Sequence, residues 1–498
     1  MIEAAEDATR SVVVVGAGIA GLAAALSAHQ AGARVAVLER ATREESGGNT
    51  RYTEAYLRMK SVDEVADDFE EAILGDFMGY PDPSLLEGLL RSYDRWPANL
   101  KAMSIADPVI VSRFAEQAGP TLRWLETFGV TFTEVVTQFL TTSTSRMAPN
   151  GGGLALIDAL TAAADEAGIT FSFQTTARSL VTDDNGAVTG VRAGTADGVK
   201  VFDGAVILAC GGFQGNPEML ARYLGESGLH VRPVCRGGYY NKGEGIQMAL
   251  DIGAAGNGNF GMFHAEPIDP RSGLSEPSIM VFPYGILVNK AARRFTDEAP
   301  GPVDATYEQV TRELHHQTDG VGYVILDAKI TDVPNFRTAI RTDQPPYKAD
   351  SIGRLAALID VPVDDLVETV ERYNAGCTGA SFDPTKPDGM ATVGMRPAKS
   401  NWARPLDTEP FEAYPIVSSN VFTYGGLRVD TAARVLDTDG RPINGLYAAG
   451  ETVGMYFTHY AGSTSVLKGA VFGRLAGATA GAPTRAAPTL PSPSHISR

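Results

Sequence analysis

A run of β-branched residues that ends in three spaced glycines lies near the start of the chain. Residues 11–15 read SVVVV, and Gly16, Gly18 and Gly21 follow with G-x-G-x-x-G spacing. An alanine-rich segment then predicts a helix, and RVAVLER at 34–40 predicts a second buried strand. In such a unit the first glycine allows a tight turn, the second lets backbone amides approach a pyrophosphate, and the third lets helix and strand pack. The pattern therefore predicts a dinucleotide site at the N-terminus of the helix.

An acidic residue at the end of the second strand narrows the choice of nucleotide. Glu39 is placed to accept hydrogen bonds from a ribose, and its charge disfavours a 2′-phosphate, so NADP is not expected. Ile19 and Ala20 at the helix start, and Arg40 beside Glu39, complete this part of the candidate site. Two later strand ends also carry glycine, ILACGGF and GLYAAGE. Because FAD is longer than NAD and needs contacts far along the chain, we expect FAD.

Charge and composition exclude several classes of protein. The 498 residues are 44% apolar and 20% charged, with a formal net charge of −17, which argues against a nucleic-acid or anionic-membrane partner. No run approaches the ~18 apolar residues of a membrane span, and the acidic start MIEAAEDATR does not resemble a secretory signal. The three cysteines have no C-x-x-C spacing, so neither a disulfide framework nor a metal cluster is expected. We expect a cytoplasmic protein that is not integral to a membrane.

The order of the motifs predicts an α/β protein with an insertion. We expect a Rossmann-like FAD-binding domain in two parts, 1–255 and 420–481, with an α+β capping domain at 256–419. The Pro/Ser/Ala-rich end, 482–498, predicts a disordered tail.

Taken together, the motifs resemble the fumarate reductase/succinate dehydrogenase flavoprotein superfamily, and within it the tricarballylate dehydrogenase branch. The resemblance extends from about residue 11 to about residue 477. It rests on SGGNTRYTEAYLRM, CRGGYYNKGEGIQMALDIGA, HAEPID, FPYGILVNKAARRFTDE, KSNWARPLDTEPFEAYP, FTYGGLRVD, NGLYAAGETVG and AGSTSVLKGAVFGRLAG.

The resemblance implies FAD held under a mobile capping domain. By likeness, the stretch Ser46, Gly47, Gly48, Asn49 and Thr50 would line the flavin ring. The histidine that attaches FAD covalently in some relatives is missing there, so we expect non-covalent FAD. The remaining cofactor contacts implied are Ala177 on the adenine side, Ala209, Cys210 and Gly211 near the nucleotide, Gly450 and Glu451 near the ribitol, and Ser465 and Val466 at the flavin.

Four polar groups of the fumarate reductases are missing from this chain. Their R-G-E-G stretch corresponds to VFPYG here, with Tyr284 in place of the arginine–glutamate pair. Their proton-donating arginine has no counterpart before Arg312, and a histidine that they keep is Phe422. Their C-terminal substrate arginine aligns with Tyr460. Fumarate reduction by the usual mechanism is therefore not expected.

The candidate catalytic residues are histidines and tyrosines. His264 falls where the fumarate reductases place a substrate-binding histidine, and Tyr284, His459 and Tyr460 are the other candidates near the flavin. The sequence Tyr460-Ala461-Gly462 resembles a Y-P-G motif of the more distant ketosteroid dehydrogenases. The candidates for substrate binding are Arg51, Arg146, Arg236, Lys242 and Thr423.

These residues predict an FAD-dependent enzyme that desaturates, or in reverse saturates, a C–C bond next to a carbonyl or carboxylate. A base removes the α-proton and the flavin takes the hydride. A di- or tricarboxylate such as tricarballylate is the first substrate class, because arginines bind carboxylates in a bidentate way. The alternatives are a ketosteroid-type or other enone-forming dehydrogenase, and a non-catalytic FAD electron-transfer module. Oxygen, a quinone and an iron–sulfur protein are all open as the electron acceptor.

Overall fold

The computed structural model describes residues 10–74, 87–135, 146–379 and 381–483. The predicted tail therefore lies outside the described residues, apart from Ala482 and Pro483. The described helices are α1 (Ile19–Gln30), α2 (Phe69–Leu74), α3 (Ala98–Lys101), α4 (Pro108–Glu126), α5 (Gly152–Glu166), α6 (Pro217–Leu224), α7 (Glu244–Leu250), α8 (Val303–Arg312), α9 (Ile352–Leu358), α10 (Val363–Gly376) and α11 (Ser465–Gly481).

The described strands alternate with these helices in the first part of the chain and cluster in the middle. They are β1 (Ser11–Val15), β2 (Arg34–Leu38), β3 (Phe132–Val135), β4 (Arg146–Pro149), β5 (Thr170–Ser172), β6 (Thr176–Thr182), β7 (Val188–Thr195), β8 (Gly198–Asp203), β9 (Ala205–Leu208), β10 (Arg232–Pro233), β11 (Gly256–Asn257), β12 (Phe263–Ile268), β13 (Ile286–Asn289), β14 (Val321–Leu326), β15 (Tyr347–Ala349), β16 (Phe411–Thr423), β17 (Gly426–Leu427), β18 (Arg434–Leu436) and β19 (Pro442–Ala448).

The first sheet joins strands from both ends of the chain. Its order is β18-β19-β9-β1-β2-β5, and the pairs β19–β9, β9–β1, β1–β2 and β2–β5 are parallel. β1 and β9 are both runs of buried apolar residues, as expected for central parallel strands covered on two faces. The carboxyl ends of β1, β2 and β9 therefore meet at one edge, where α/β folds bind ligands.

Helices α1 and α11 pack unusually closely because α11 has a glycine at every fourth residue. A Cβ at Gly473 would lie 2.3 Å from the carbonyl oxygen of Ala20, and one at Gly477 would lie 2.2 Å from that of Ala24. At Gly469 the nearest atom belongs to Ile19, at 2.9 Å. The close packing sets the N-terminus of α11 beside that of α1, at the same edge of the sheet.

The second sheet is mainly antiparallel and is built from strands of the insertion together with β10, which precedes it. Its order is β10-β16-β14-β13, and β12 and β15 also pair with β16. β16 spans Phe411–Thr423, so its C-terminal end leads out of the insertion towards the first sheet. The α/β class with an inserted α+β unit is confirmed. Among the described residues, no helix has both the length and the apolar character to cross a membrane.

Candidate functional site

A deep cleft begins at the fingerprint glycines and ends against the second sheet. It holds about 1350 Å³ of empty space, its open mouth included. The ends of β1, β2 and β9 form one wall, and the first turns of α1 and α11 form another. Val421 and Phe422, near the end of β16, line its far part.

The fingerprint glycines make room for a ligand close to the backbone. Gly16 has φ +105°, and a Cβ there would lie 2.4 Å from the carbonyl oxygen of Ala209. At Gly21 a Cβ would lie 1.9 Å from the carbonyl oxygen of Gly16. Gly18, the residue before α1, has no side chain with which to cap the first N–H groups of that helix. The turn fits a pyrophosphate, since amides at a helix N-terminus and the helix dipole both attract anions.

Glu39 is buried beside this turn and is held by two backbone groups. Its carboxylate accepts hydrogen bonds from the N–H of Ala17 and of Ala41, both at 2.8 Å. Arg40 also lines the cleft, where it donates to the carbonyl of Tyr240 at 3.0 Å and pairs with Glu244. The carboxylate is thus fixed at the end of β2, where the fold places a ribose.

Most of the cofactor residues predicted from the sequence line this cleft. Those that do are Gly16, Gly18, Ile19, Ala20, Glu39, Arg40, Gly48, Asn49, Thr50, Ala177, Ala209, Cys210, Gly211, Gly450, Glu451, Ser465 and Val466. Three predicted residues lie behind the wall instead. Gly21 packs on Gly16, Gly47 lies against Ile157, and the Ser46 hydroxyl donates to the carbonyl of Arg43 at 2.8 Å.

The predicted flavin-lining stretch forms a 3-10 helix that touches both halves of the cleft. Asn49 donates through Nδ2 to the carbonyl of Val421 at 2.7 Å. The hydroxyl of Thr50 accepts from the N–H of Ile19 at 3.4 Å. The stretch Gly48–Tyr52 therefore links the start of α1 to the end of β16.

Tyr460 occupies the position before the N-terminus of α11. Its hydroxyl oxygen accepts from the N–H of Thr464 at 2.9 Å and of Ser465 at 3.0 Å, and lies 3.1 Å from the hydroxyl of Ser465. Since α11 has no side-chain cap from its own N-cap residue, Tyr460 satisfies these amides. Two N–H donors at a helix N-terminus stabilise negative charge on the oxygen that they face.

His264 is buried on β12 within a ring of aromatic side chains. Its imidazole centroid lies 4.5 Å from that of Tyr460, 5.3 Å from Phe422 and 5.7 Å from Tyr307. The hydroxyl of Tyr307 lies 3.2 Å from Nε2. Phe422 also lines the far part of the cleft, and His264 and Tyr460 pack against its ring without lining the cleft themselves.

Two carboxylates flank the imidazole of His264. Glu266 Oε1 is 3.7 Å from Nε2, and Glu308 Oε1 is 3.6 Å from Nδ1. Burial opposes the charge on the imidazole, but these carboxylates outweigh it and raise the pKa of His264 to about 9. His264 is therefore a buried imidazolium at neutral pH.

Glu308 connects His264 to Tyr460 and to the wall behind them. It accepts from the backbone N–H of Tyr460 at 3.2 Å, from Arg312 at 2.9 Å and from the hydroxyl of Tyr424. Burial opposes its charge, yet His264 and Arg312 lower the pKa of this carboxyl. Glu308 thus stays ionised and links His264, Tyr460 and Arg312.

A third carboxyl, Glu276, lines the cleft near this cluster. Burial and the charge of Glu266 raise its pKa to about 8. Four residues of this cluster were not predicted from the sequence, namely Glu266, Glu276, Tyr307 and Glu308. Only Glu266 carried a local signal, because it stands two positions after His264.

The other two catalytic candidates lie elsewhere. The hydroxyl of Tyr284 donates to the carbonyl of Pro384 at 3.2 Å, and its ring packs against Trp402 in the insertion. His459 is exposed, and its Nε2 lies 2.9 Å from the carbonyl oxygen of Ala72. The structure therefore brings Tyr460 to His264 but not Tyr284 or His459.

The predicted substrate cations do not converge. Arg236 is exposed, and Lys242 donates to the carbonyl of Gly215. Arg51 donates back to the carbonyl of Ser46 at 3.4 Å. Arg146 alone reaches the Tyr460 loop, where its Nε donates to the hydroxyl of Ser463 at 3.1 Å.

Thr423 belongs to the cofactor wall. Its N–H and its hydroxyl donate to Glu451 Oε1 at 2.8 and 3.2 Å. Glu451 also accepts from Gln214 and Asn241 at 3.2 and 3.3 Å. Thr423 therefore orients Glu451 rather than facing His264.

Comparison with known proteins agrees with a dinucleotide site in this cleft. Residues 11–467 match the family model for the FAD binding domain. The chain is 29% identical to vinyl phenol reductase of Lactiplantibacillus plantarum, over 88% of this chain and 89% of that protein. It is 28% identical to urocanate reductase of Eggerthella lenta, over 95% of this chain and 74% of that protein. The structure of a flavocytochrome c3 fumarate reductase in an open conformation matches with a TM-score of 0.71 and 26% identity, over 95% of this chain and 78% of that one.

The cleft and the relatives identify FAD as the cofactor. The glycine cradle, Glu39 and the two helix N-termini all fit a long dinucleotide. The protein is an FAD-dependent oxidoreductase that acts on C–C double bonds or their saturated counterparts. The chain belongs to the FAD binding domain family, within the fumarate reductase/succinate dehydrogenase flavoprotein superfamily.

Proposed function

We propose that the protein forms or reduces a C=C bond conjugated to a carbonyl or a single carboxylate, in a substrate with an apolar, ring-shaped body. The observation that supports this most directly is the enclosure of His264 by the rings of Tyr307, Phe422 and Tyr460. Aromatic walls favour an apolar body, and the buried polar atoms among them give it orientation.

Bound FAD would accept the hydride from the β-carbon, or return it in the reverse direction, without a covalent bond to the protein. Tyr460 Oη is the proposed proton-transfer atom. The N–H groups of Thr464 and Ser465 would stabilise the negative phenolate form of Tyr460, which takes the α-proton and becomes the neutral phenol. His264, as an imidazolium, would polarise the carbonyl and draw electron density away from the reacting carbon.

The polycarboxylate predicted from the sequence is a second candidate, and one feature favours it. Arg146 reaches Ser463, and Arg58 donates to the carbonyl of Gly462 at 3.1 Å, so two guanidinium groups approach the Tyr460 loop. Arg58 is already paired with Asp68, so the two groups suit at most one substrate carboxylate. Glu266 and Glu308, which flank His264, would repel further carboxylates.

The test is the flavin spectrum of the purified holoprotein under anaerobic conditions. We would titrate the oxidised protein with a 3-ketosteroid, a cyclohexanone carboxylate, tricarballylate and succinate. The reduced protein would be mixed with an arylacrylate and fumarate. Bleaching or reoxidation by the ring-bearing compounds supports the proposal, whereas a response to tricarballylate alone contradicts it. A flavin that reduces chemically but responds to none of these compounds would favour the electron-transfer module.

The same reduced protein identifies the electron partner. We propose to mix it with oxygen, a quinone and an iron–sulfur protein and to compare the reoxidation rates. The cytoplasmic location and the likeness to the tricarballylate branch stay predictions of the sequence.

A further inference from the structure

A buried lysine lines the cofactor cleft one helical turn after the N-terminus of α11. Lys468 is 3% exposed and shares the cleft wall with Ser465, Val466 and Gly469. Its Nζ donates to the carbonyl of Val453 at 2.9 Å and lies 4.8 Å from the ring centroid of Tyr456. Lys468 is not among the site residues predicted from the sequence.

No charge within ion-pairing distance neutralises Lys468 among the described residues. Glu451 is the acidic group that acts on it electrostatically, but its carboxylate accepts hydrogen bonds from Thr423, Gln214 and Asn241 instead. Val453 is the one hydrogen-bond partner of Nζ in the described part of the chain, although an ammonium group has three N–H donors. A buried ammonium with unused donors needs a further anionic or polar partner.

We infer that Lys468 sets the reduction potential of the flavin by placing a positive charge in the wall where the bound cofactor becomes negative. On reduction, FAD takes up two electrons and one proton, so the cofactor gains one net negative charge. A cation in a poorly solvated wall stabilises that charge more than it would in water. Removing the cation therefore makes the flavin harder to reduce.

The state of the lysine fits this role. Burial lowers the pKa of Lys468 to about 8, against the attraction of Glu451, so the group is mainly protonated at pH 7. A negative charge that forms in the cleft favours the protonated form further.

The experiment uses the FAD-loaded protein and needs no substrate, so its failure is distinct from failure of the proposed function. Lys468→Gln keeps a donor for the Val453 carbonyl, Lys468→Met removes it, and Lys468→Arg keeps the charge. Lys200→Gln is the control, because Lys200 is an exposed lysine paired with Asp197 on β8. The readouts are the flavin reduction potential, by equilibration with a reference dye, and the dissociation constant for sulfite. Sulfite uses its lone pair to form a bond to flavin N5, and the displaced pair leaves negative charge on the ring.

Lys468→Gln and Lys468→Met are expected to weaken sulfite binding at least tenfold. A tenfold change in the equilibrium constant for two-electron reduction of the flavin corresponds to a reduction potential that is lower by about 30 mV. Lys468→Arg and Lys200→Gln should stay near the wild-type values. Unchanged sulfite affinity and potential in the neutral variants with FAD bound would overturn the inference, as would an equal change in Lys200→Gln.

A comparison with the arginine variant keeps the test valid if the neutral variants lose FAD or do not fold. Arginine remains charged at all accessible pH values, whereas the lysine loses its proton near pH 8. Above pH 8 the wild-type potential should therefore fall increasingly below that of Lys468→Arg. Parallel potentials from pH 6 to pH 10 would refute the role of the charge.

Discussion

The hydroxyl oxygen of Tyr460 lies 3.0 Å from the backbone nitrogen of Ser465, so a ring that packs against His264, with centroids 4.5 Å apart, also faces the first turn of α11. One tyrosine thus connects the buried imidazolium to a helix N-terminus at the cofactor cleft. The proposed proton transfer depends on this connection, because amides that are already in place stabilise charge without reorganisation.

Replacing Tyr460 by Phe removes the proposed proton-transfer atom and keeps the ring. We expect the rate of flavin reduction by a responding substrate to fall by about 10²-fold or more, the usual range for a lost general base. Rapid mixing followed by absorbance measures this step alone. Tyr323→Phe on β14 is the matched control, and an undiminished rate in Tyr460→Phe would exclude Tyr460 as the base.

His264 should make stability depend on pH in the alkaline direction. Its folded pKa, about 9, lies above the value of ~6.5 expected when unfolded, so its contribution is complete below pH ~6.5 and is lost as pH rises to 9. The full contribution is about 3 kcal/mol at most. The contribution of His264 is measured by urea unfolding of the wild type and of His264→Gln. Both proteins are unfolded at pH 6 and at pH 9.5, at a fixed FAD concentration. A difference between the two proteins that is larger at pH 9.5 would contradict the assignment.

Arg146 and Arg236 should differ sharply, although the sequence placed them in one group. Arg146 is buried beside the Tyr460 loop, whereas Arg236 is exposed. Arg146→Met is expected to weaken binding of a carboxylate substrate by about tenfold or more, since a hydrogen bond to a charged group contributes about 1.5–3 kcal/mol. Arg236→Met should change it less than twofold. The substrate dissociation constant, measured from the flavin spectrum, tests this difference. A larger effect at Arg236 would indicate that the substrate carboxylate binds near Arg236 instead.

The close packing of α1 and α11 should not tolerate one added methyl group. In Gly473→Ala the new Cβ meets the carbonyl of Ala20, and we expect a loss of about 1–3 kcal/mol in the free energy of unfolding. FAD affinity should fall with it, because both helix N-termini line the cleft. Chemical denaturation and FAD titration measure the two effects. Gly273→Ala, where a Cβ meets nothing within 4 Å, is the control; equal stability of the two variants would mean that the helices can separate without cost.

The cofactor half of the site could be predicted from the sequence because its signals are local. Gly16, Gly18 and Gly21 stand at fixed spacing between a strand and a helix, and backbone sterics alone allow few other residues in that turn. The role of Glu39 could be predicted because this residue stands at the end of the second strand of the same unit. The start of α11 at Ser465 was likewise readable from the glycine-rich segment before it.

The arrangement of the proposed catalytic residues depends on the tertiary structure. His264 on β12, Glu308 on α8 and Tyr460 before α11 meet through long-range strand pairing and helix packing, and no spacing in the sequence relates them. Tyr284 resembled them as a residue type, yet it lies in a 3-10 turn before β13 and its hydroxyl donates to Pro384. Side-chain identity and local pattern specify a backbone that can hold a nucleotide. Which charges share one buried space depends on how distant segments pack, and only that proximity produces the imidazolium of His264 and the unpaired charge of Lys468.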